Sequence, residues 1–353
     1  MSITRISPLI CVIILTLIGC VKPANVIKLT PIKVDEAAAF PSQELGTRPP
    51  ILSGFTPLAQ QLLDEGWVQL FDSVSSYGWE VVDGEGQIIV LKGSNGKTYF
   101  RYDGKDDKYL IQHRFVGALL ESNSRGGTTF SSRGPGWANH FDASSNLHLN
   151  LGDIGNKETI SIEGSNAIRA KPNDLKPLGE DAWKPASGAA KAVWEDGVME
   201  LTGGSGMVES VDEYENFVLQ LEYFTEKGIN SGVFFRCIPG ENMNGYECQI
   251  FNEPPAEDYE KFIGTDTGGI FRRQVGRNVG PQDGQWNYLT LAVKGSDVAT
   301  WVNGIQTADW TDTRDEHDNP RNGKRLKAGT IQFQGHDPTT KIKFRNIKIA
   351  VLE

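Results

Sequence analysis

The chain has 353 residues and a formal net charge of −10, from 35 Lys and Arg against 45 Asp and Glu. This acidic balance argues against a nucleic-acid-binding protein, because binding to phosphates requires a basic footprint. The length leaves room for two domains of ordinary size.

The first twenty residues have the pattern of an export signal. Arg5 gives a short basic start, Leu9–Ile18 is an apolar run too short to span a bilayer, and Gly19 precedes Cys20. This arrangement resembles a bacterial lipobox, whose Cys becomes the lipidated N-terminus after cleavage. We therefore expect a signal peptide over residues 1–19 and an exported lipoprotein, in the periplasm or at the cell surface, anchored to a membrane through Cys20. The alternative is an ordinary signal peptide that happens to contain a Cys.

The rest of the chain predicts an all-β fold with two β-sandwich domains. Residues 20–55 are rich in Pro and predict a tether, and a short helix is predicted over Pro57–Glu65. Short β signals separated by Gly, Asp and Asn then predict an N-terminal β-sandwich over 56–172, which is a candidate divergent repeat, and a second β domain over 173–353. In the second domain, Asn303-Gly304 is a strong hairpin-turn signal.

The stretch Asn230–Asn252 predicts a β-hairpin. Its strands are Val233–Cys237 and Tyr246–Ile250, joined by a polar loop that contains Asn244-Gly245. Strict alternation places Cys237 and Cys248 on the same apolar face. An oxidising compartment then favours a disulfide between them, and two buried free thiols are the alternative.

Alternation also predicts a polar stripe on one sheet face, formed by this hairpin and the strands Phe217–Tyr223 and Ile331–His336. The core side of the first of these strands would hold Phe217, Leu219, Leu221 and Tyr223. Amides and carboxylates offer paired donors and acceptors, which suit sugar hydroxyls. Asn230, at the start of the hairpin, joins the substrate-binding candidates, and the predicted polar stripe comprises Gln220, Glu222, Arg236, Glu247, Gln249, Gln332, Gln334 and His336.

No motif in the sequence defines a known catalytic centre. The chain contains no nucleophile elbow, HExxH, phosphate loop or CxxC. Glu222 and Glu247 on one face would suit an acid/base pair, although each could simply form an ion pair with Arg236. His336 lies in QGHDP at a predicted strand end, which is a common position for functional residues.

Many ordered segments of the C-terminal half resemble the 3-keto-disaccharide hydrolase domain family. They include VWEDGVMEL, FVLQLEY, NSGVFFRCIPG, NGYECQIFN, TGGIFRRQ, WNYLTLAVKG, WVNGIQTADWTDTR, GTIQFQGHDPTT and FRNIKI. The resemblance implies a concanavalin A-like jelly roll with a concave sheet that binds carbohydrate.

The family name further implies cleavage of 3-keto-glycosides. A ketone at C3 acidifies the proton at C2, so a base can start elimination of the group on C1. On this hypothesis Glu247 is the base or acid, His336 is its partner and Glu222 is a second carboxylate. Arg236 and Gln249 would hold hydroxyls or the carbonyl. The sequence requires no cofactor, although a carboxylate and a His could hold a divalent metal.

Two other functions share these observations. A non-catalytic, lectin-like surface lipoprotein would use the same polar face, because jelly rolls occur in lectins and enzymes alike. A structural surface protein would use that face as a protein interface. Only turnover of a keto-glycoside separates the enzyme from the lectin.

Overall fold

The computed structural model describes residues 29–33, 35–94, 96, 98–104, 108–122, 128–132, 136–141 and 168–353. The predicted signal peptide, Cys20 and residues 142–167 of the predicted N-terminal β-sandwich lie outside these ranges. The all-β prediction is confirmed, since every pairing between the named strands is antiparallel and the helices are short.

The N-terminal part forms three small sheets with the strand orders β1-β4-β5, β2-β10-β9 and β3-β6-β7-β8. The predicted helix at Pro57–Glu65 is present as a shorter helix, α2. The elements of this part are β1 Leu29–Pro31, α1 Glu36–Ala39, α2 Gln60–Asp64, β2 Val68–Gln69, β3 Trp79–Asp83, β4 Gln87–Gly93, β5 Thr98–Asp103, β6 Leu110–His113, β7 Ala118–Ser122, β8 Thr128–Ser132, β9 Trp137–Phe141 and β10 Ile168–Pro172.

The C-terminal part is a jelly roll of two sheets packed face to face. One sheet has eight strands in the order β13-β14-β23-β16-β19-β20-β21, with β11 paired to β23, and the other has five in the order β12-β15-β22-β17-β18. The elements are β11 Lys176–Pro177, β12 Trp183–Gly188, β13 Lys191–Glu195, β14 Val198–Thr202, β15 Gly206–Ser210, β16 Phe217–Thr225, β17 Ser231–Cys237, β18 Tyr246–Ile250, α3 Ala256–Lys261, β19 Trp286–Lys294, β20 Asp297–Val302, β21 Ile305–Thr311, β22 Thr330–Gly335 and β23 Ile342–Val351.

The main hydrophobic core lies between these two sheets. The predicted core residues of β16 are all buried in it, and they face apolar residues of β17, β18 and β22. Burying each Leu, Val or Phe stabilises the fold by about 1.5–3 kcal/mol relative to leaving it exposed. The predicted hairpin turn is also present, since Asn303 and Gly304 connect β20 to β21 with positive φ at both residues.

A second core joins the N-terminal part to the back of the eight-stranded sheet. Trp301 is fully buried there, and its ring lies within 6.5 Å of the rings of His113, Phe115 and Trp137. A buried ion pair between Asp72 and Arg277 also links the two parts. The N-terminal strands therefore cover one face of the jelly roll.

The second half of the predicted tether packs against the jelly roll. Ala38, Ala39 and Leu52 are buried in its main core. The Arg48 guanidinium donates to the carbonyl of Asn252 at 3.1 Å, and the Leu52 N–H donates to the carbonyl of Asn278 at 2.8 Å. The Pro-rich composition did not predict this packing. An extended segment can pair its backbone N–H and C=O groups with a neighbouring loop, and such pairing leaves no pattern in the side chains.

The predicted disulfide is wrong. Cys237 and Cys248 are both free and buried, and a β-bulge between Phe234 and Cys237 separates them. At this bulge Arg236 has a φ of 49°, which reverses the alternation at the end of β17. Cys237 therefore packs with Met207 on the outer face of the sheet, while Cys248 points into the main core. Burial raises the pKa of both thiols.

Candidate functional site

The outer face of the five-stranded sheet carries two adjacent rows of mainly polar residues. The strand registers align Glu209, Gln332, Phe234 and Glu247 in the first row. In the second row they align Met207, Gln334, Gly232 and Gln249. The residues between these positions, such as Val233, Cys248 and Phe333, point into the main core. The two rows are the candidate site.

The rows continue past β18 onto the segment 269–271. The Gln249 N–H donates to the carbonyl of Gly269, and the Phe271 N–H donates to the carbonyl of Glu247, both at 2.9 Å. Ile270 between them is fully buried in the main core. Phe271 therefore extends the first row beside Glu247, and Gly269 extends the second row beside Gln249. With Gly232 and Gly269, the second row has two positions without side chains.

Glu247 is buried in the first row, with 5% of its surface exposed. Burial raises the pKa of its carboxyl from 4.5 to about 7, and the cations Arg321 and Arg272 partly offset this rise. The Arg321 guanidinium lies 3.8 Å from the carboxylate, and burial lowers the pKa of Arg321. Burial thus favours the neutral form of both groups despite their attraction. A carboxyl whose pKa lies near neutrality suits general acid/base catalysis.

This pKa shift makes stability depend on pH. Between pH 4.5 and 7 the folded protein keeps a proton on Glu247 that the unfolded chain loses, so stability falls as pH rises through this window. Glu247→Gln mimics the protonated form. We expect it to be more stable than wild type at pH 8 by up to about 3 kcal/mol, and equally stable at pH 4. Chemical denaturation at both pH values measures the free energy of unfolding of the two proteins. An equal difference in stability at pH 4 and pH 8 would contradict the raised pKa of Glu247.

The two glutamines of β22 are buried in the rows with unused hydrogen-bonding capacity. The Gln332 amide donates to the carbonyl of Glu241 and to the Glu209 carboxylate, both at 3.2 Å. The Gln334 amide contacts the sulfur of Met243 at 3.5 Å. Among the described residues neither side-chain oxygen has a hydrogen-bond partner, and the same holds for the side-chain oxygen of Asn230. Buried polar atoms usually find partners, so these three unpaired acceptors are candidates for contact with a ligand.

His336 lies at the open end of the rows. Its imidazole is about half exposed and its Nδ1 lies 3.0 Å from Asp337. It follows Gln332 by four residues, which places it about 13 Å along the strand from the row of Glu247. The predicted direct partnership between His336 and Glu247 does not match this spacing. His336 and Asn230 instead contact the same Thr340 hydroxyl, which accepts from the His336 N–H at 3.0 Å and donates to the Asn230 carbonyl at 3.4 Å.

The structure does not place Arg236 in the predicted polar stripe. Its guanidinium is buried and donates to the carbonyls of Glu215 at 2.9 Å, Gly295 at 2.7 Å and Arg325 at 2.9 Å. These contacts fasten three chain segments together. The bulge that displaced Cys237 also turned this side chain away from the site, so its role is structural.

Gln220 and Glu222 lie on the other sheet. They belong to β16, and their side chains point away from the main core toward residues 63–68. Glu222 pairs with Arg345 at 2.7 Å, and the Gln220 amide donates to the carbonyl of Gly66 at 2.9 Å. Both line a polar cavity of about 240 Å³ on that side. Alternation identified them correctly as outward-facing but could not show which sheet they belong to.

Two loops that cover the rows supply residues which the sequence did not predict. The Arg321 guanidinium donates to the carbonyl of Met243 at 2.6 Å and lies 5.4 Å from the Phe234 ring centroid. The Asn319 amide donates to Asn244 at 3.0 Å, which connects the two loops. The signal for Arg321 was weak, because it lies in the aperiodic segment DNPRNGK.

The part of the chain that the structure describes contains no cluster of three or more His, Cys, Asp or Glu residues suited to a metal ion. It also contains no helix with the length and apolar character needed to cross a bilayer.

The fold and the rows define a class of protein, a jelly-roll β-sandwich with a polar, partly covered sheet face. Residues 176–350, just under half of the chain, match the family model of the 3-keto-alpha-glucoside-1,2-lyase-like domain. The resemblance deduced from the sequence segments is thereby confirmed, and with it a carbohydrate-related function for the domain.

Several solved structures are similar to about half of the chain. Two come from Parabacteroides distasonis and are assigned to the glycosyl hydrolases. One is 22% identical to this chain, the match covers 50% of this chain and 90% of the other protein, and the TM-score is 0.41. The other is 27% identical, with coverages of 48% and 99% and a TM-score of 0.39. A carbohydrate-binding module from Bacillus subtilis is 11% identical, with coverages of 48% and 96% and a TM-score of 0.34. No curated protein matches the chain.

Proposed function

We propose that the protein is an exported, lipid-anchored enzyme that cleaves 3-keto-glycosides on the outer face of the five-stranded sheet. The observation that carries the proposal is Glu247, a buried carboxyl with a pKa of about 7, placed beside Arg321 and among free amide acceptors. The family match over residues 176–350 supports the substrate class. The lipobox pattern at Cys20 supports the export and the anchor.

In the proposed reaction, ionised Glu247 removes the proton from C2 of the sugar. The electron pair of the broken C2–H bond forms a C1=C2 double bond, and the C1–O bond to the leaving group breaks. The departing oxygen takes up a proton, and the Glu247 carboxyl returns its own proton to solvent. Addition of water across the new double bond would then complete a net hydrolysis.

Arg321 has the chemistry to assist this step. Negative charge develops on the ketone oxygen as C2 loses its proton, and a fixed cation in a partly buried site stabilises such charge effectively. The Arg321 guanidinium already lies 3.8 Å from Glu247 and is held by the carbonyl of Met243. The free side-chain oxygens of Gln334 and Asn230 would accept hydrogen bonds from sugar hydroxyls, and Gln249 lies between these residues and Glu247. His336 would contact the leaving group from the open end.

A non-catalytic carbohydrate-binding protein is the second candidate. The observation that favours it is the spacing between Glu247 and His336, because these residues do not form an acid/base pair. A lectin would use the same amides and would need no group with a pKa near neutrality.

The test is incubation of the full chain, purified in detergent, with 3-keto-trehalose or a 3-keto-glucoside at pH 7.5. We expect release of the leaving group together with ultraviolet absorption from the conjugated enone. The matching glucoside without the ketone is the control and should stay intact. Binding of these sugars without any cleavage would replace the enzyme with the lectin, and no binding of either would contradict both.

A further inference from the structure

Three arginines, Arg272, Arg273 and Arg321, are connected at the edge of the site, and two of them act on the carboxyl of Glu247. Arg272 and Arg321 both act on the charge of Glu247, and Arg273 connects them by donating to the carbonyl of Arg272 at 3.0 Å and that of Arg321 at 3.1 Å. Arg272 also lowers the pKa of Arg321, after the larger effect of burial. The fold thus gathers like charges in a chain whose formal net charge is −10.

Of these three cations, Arg272 is the one available to a ligand. The guanidinium of Arg273 is used by backbone carbonyls, and that of Arg321 by Met243 and Glu247. Arg272 is exposed, and its side chain has no hydrogen bond or ion pair within the described ranges. Its guanidinium rests on two aromatic rings, 4.6 Å from the Phe262 centroid and 5.4 Å from the Phe271 centroid. These contacts fix its position without using its five donors.

The backbone also holds Arg272 in a costly conformation. Its φ of 61° lies in the left-handed region, which a residue with a long side chain rarely adopts. The Arg272 N–H donates to the carbonyl of Ile263 at 2.8 Å, and those of Arg273 and Gln274 donate to Ile270. This turn keeps Arg272 next to Phe271, which extends the first row beside Glu247. Strained residues that the surroundings hold in place are frequent at ligand-binding sites.

The charges around Glu247 do not cancel. Its carboxyl supplies at most one negative charge against Arg272 and Arg321, the two cations that act on it. A positive surplus beside a sugar site attracts an anionic substituent. Arg recognises a carboxylate through two parallel hydrogen bonds, which a neutral hydroxymethyl group cannot make.

We infer that the site prefers glycosides that carry an anionic group, with Arg272 as the residue that recognises it. The inference rests on the proposed sugar site but is independent of cleavage. The group fitted best by a planar guanidinium is the carboxylate of a hexuronate, while a sulfate ester would share the charge but not the planar shape.

The test compares three probes that differ only at C6: methyl α-glucoside, methyl α-glucuronide and methyl α-glucoside 6-sulfate. None has a ketone, so binding to the full chain can be followed by nuclear magnetic resonance titration without turnover. We expect the glucuronide to bind about tenfold more tightly than the glucoside, as a charge-assisted hydrogen bond implies. The sulfate should fall between them, and 0.5 M NaCl should reduce the advantage of both anions.

Variants assign the effect to the residue. Arg272→Asn should remove the preference for the glucuronide and leave glucoside binding unchanged, since Asn tolerates a positive φ. Lys343→Gln is the matched control, because it removes one cation from the other sheet, where Lys343 pairs with Glu200 at 3.6 Å. Glu247→Gln should tighten glucuronide binding, because it removes the competing negative charge.

Equal affinity for glucoside and glucuronide would overturn the inference and leave the proposed sugar site intact. A similar loss of both affinities in Arg272→Asn would also overturn it, because Arg272 would then only support the sheet edge. If Arg272→Asn does not fold, the salt dependence of the wild type decides, and a preference unaffected by salt counts against charge recognition. Failure to bind any probe or to cleave a 3-keto-glycoside would instead contradict the proposed function.

Discussion

Replacing Glu247 by Gln is expected to reduce turnover of a 3-keto-glycoside by about 10²- to 10⁴-fold, the usual contribution of a general base. Gln has nearly the same shape and hydrogen-bonding reach but cannot accept the C2 proton. In the wild type, kcat/KM should rise with pH through about 7, since the reactive form of Glu247 is the ionised one. Rates of leaving-group release from pH 5 to 9 measure both effects.

Glu209→Gln provides a matched control for this loss. Glu209 stands in the same row and is equally buried, but its carboxylate accepts hydrogen bonds from the Gly240 N–H at 3.0 Å and the Thr330 hydroxyl at 3.1 Å. Its role is to hold the covering loop to the sheet, so this variant should keep a kcat within a few-fold of wild type. Turnover that survives in Glu247→Gln would contradict the assignment of Glu247 as the base. An equal loss of turnover in Glu209→Gln would contradict it as well.

The sequence predicted the regular parts of the site because strand alternation is a local property. Gln332 and Gln334 lie on a regular strand, as do Glu247 and Gln249, and all four face outward together as expected. Assigning their side chains to one face required no information about distant contacts. The inward-facing apolar residues of β16 were predicted for the same reason.

The errors have two physical causes. A single bulged residue with positive φ, Arg236, moved its own side chain and that of Cys237 to other surroundings, and one-residue changes of phase carry no periodic signal. Gln220 and Glu222 alternate correctly but belong to the sheet opposite β17 and β22. The order of strands depends on long-range pairing, which alternation within one strand does not encode.

The residues that the sequence missed lie on loops and sheet edges. Arg321 reaches the first row from a loop that begins after β21, and its position depends on the carbonyl of Met243 in another loop. Arg272 owes its place to a turn at the sheet edge. Charged loop residues are usually solvated, so only the folded chain shows that these two flank a buried carboxyl.

Replacing Arg236 by Met is expected to destabilise the protein by about 3–5 kcal/mol while leaving sugar affinity of the folded protein unchanged. The substitution removes a buried cation that donates to the carbonyls of Glu215, Gly295 and Arg325, and it leaves these acceptors without a partner. Hydrogen bonds to charged groups contribute about 1.5–3 kcal/mol each, and a buried acceptor left unpaired adds a desolvation cost. The melting temperature should fall by roughly ten degrees.

Arg236→Lys separates the charge from the geometry of this contact. Lys keeps the cation but cannot direct donors to three carbonyls on different segments, so its stability should lie between those of Met and wild type. Thermal unfolding compared with glucoside titration at 20 °C distinguishes the structural role from the ligand role that alternation first predicted. An unchanged melting temperature together with weakened sugar binding would show that Arg236 belongs to the sugar site. The three carbonyl contacts imply instead that the β-bulge at Arg236 fastens the end of β17 to its neighbouring segments.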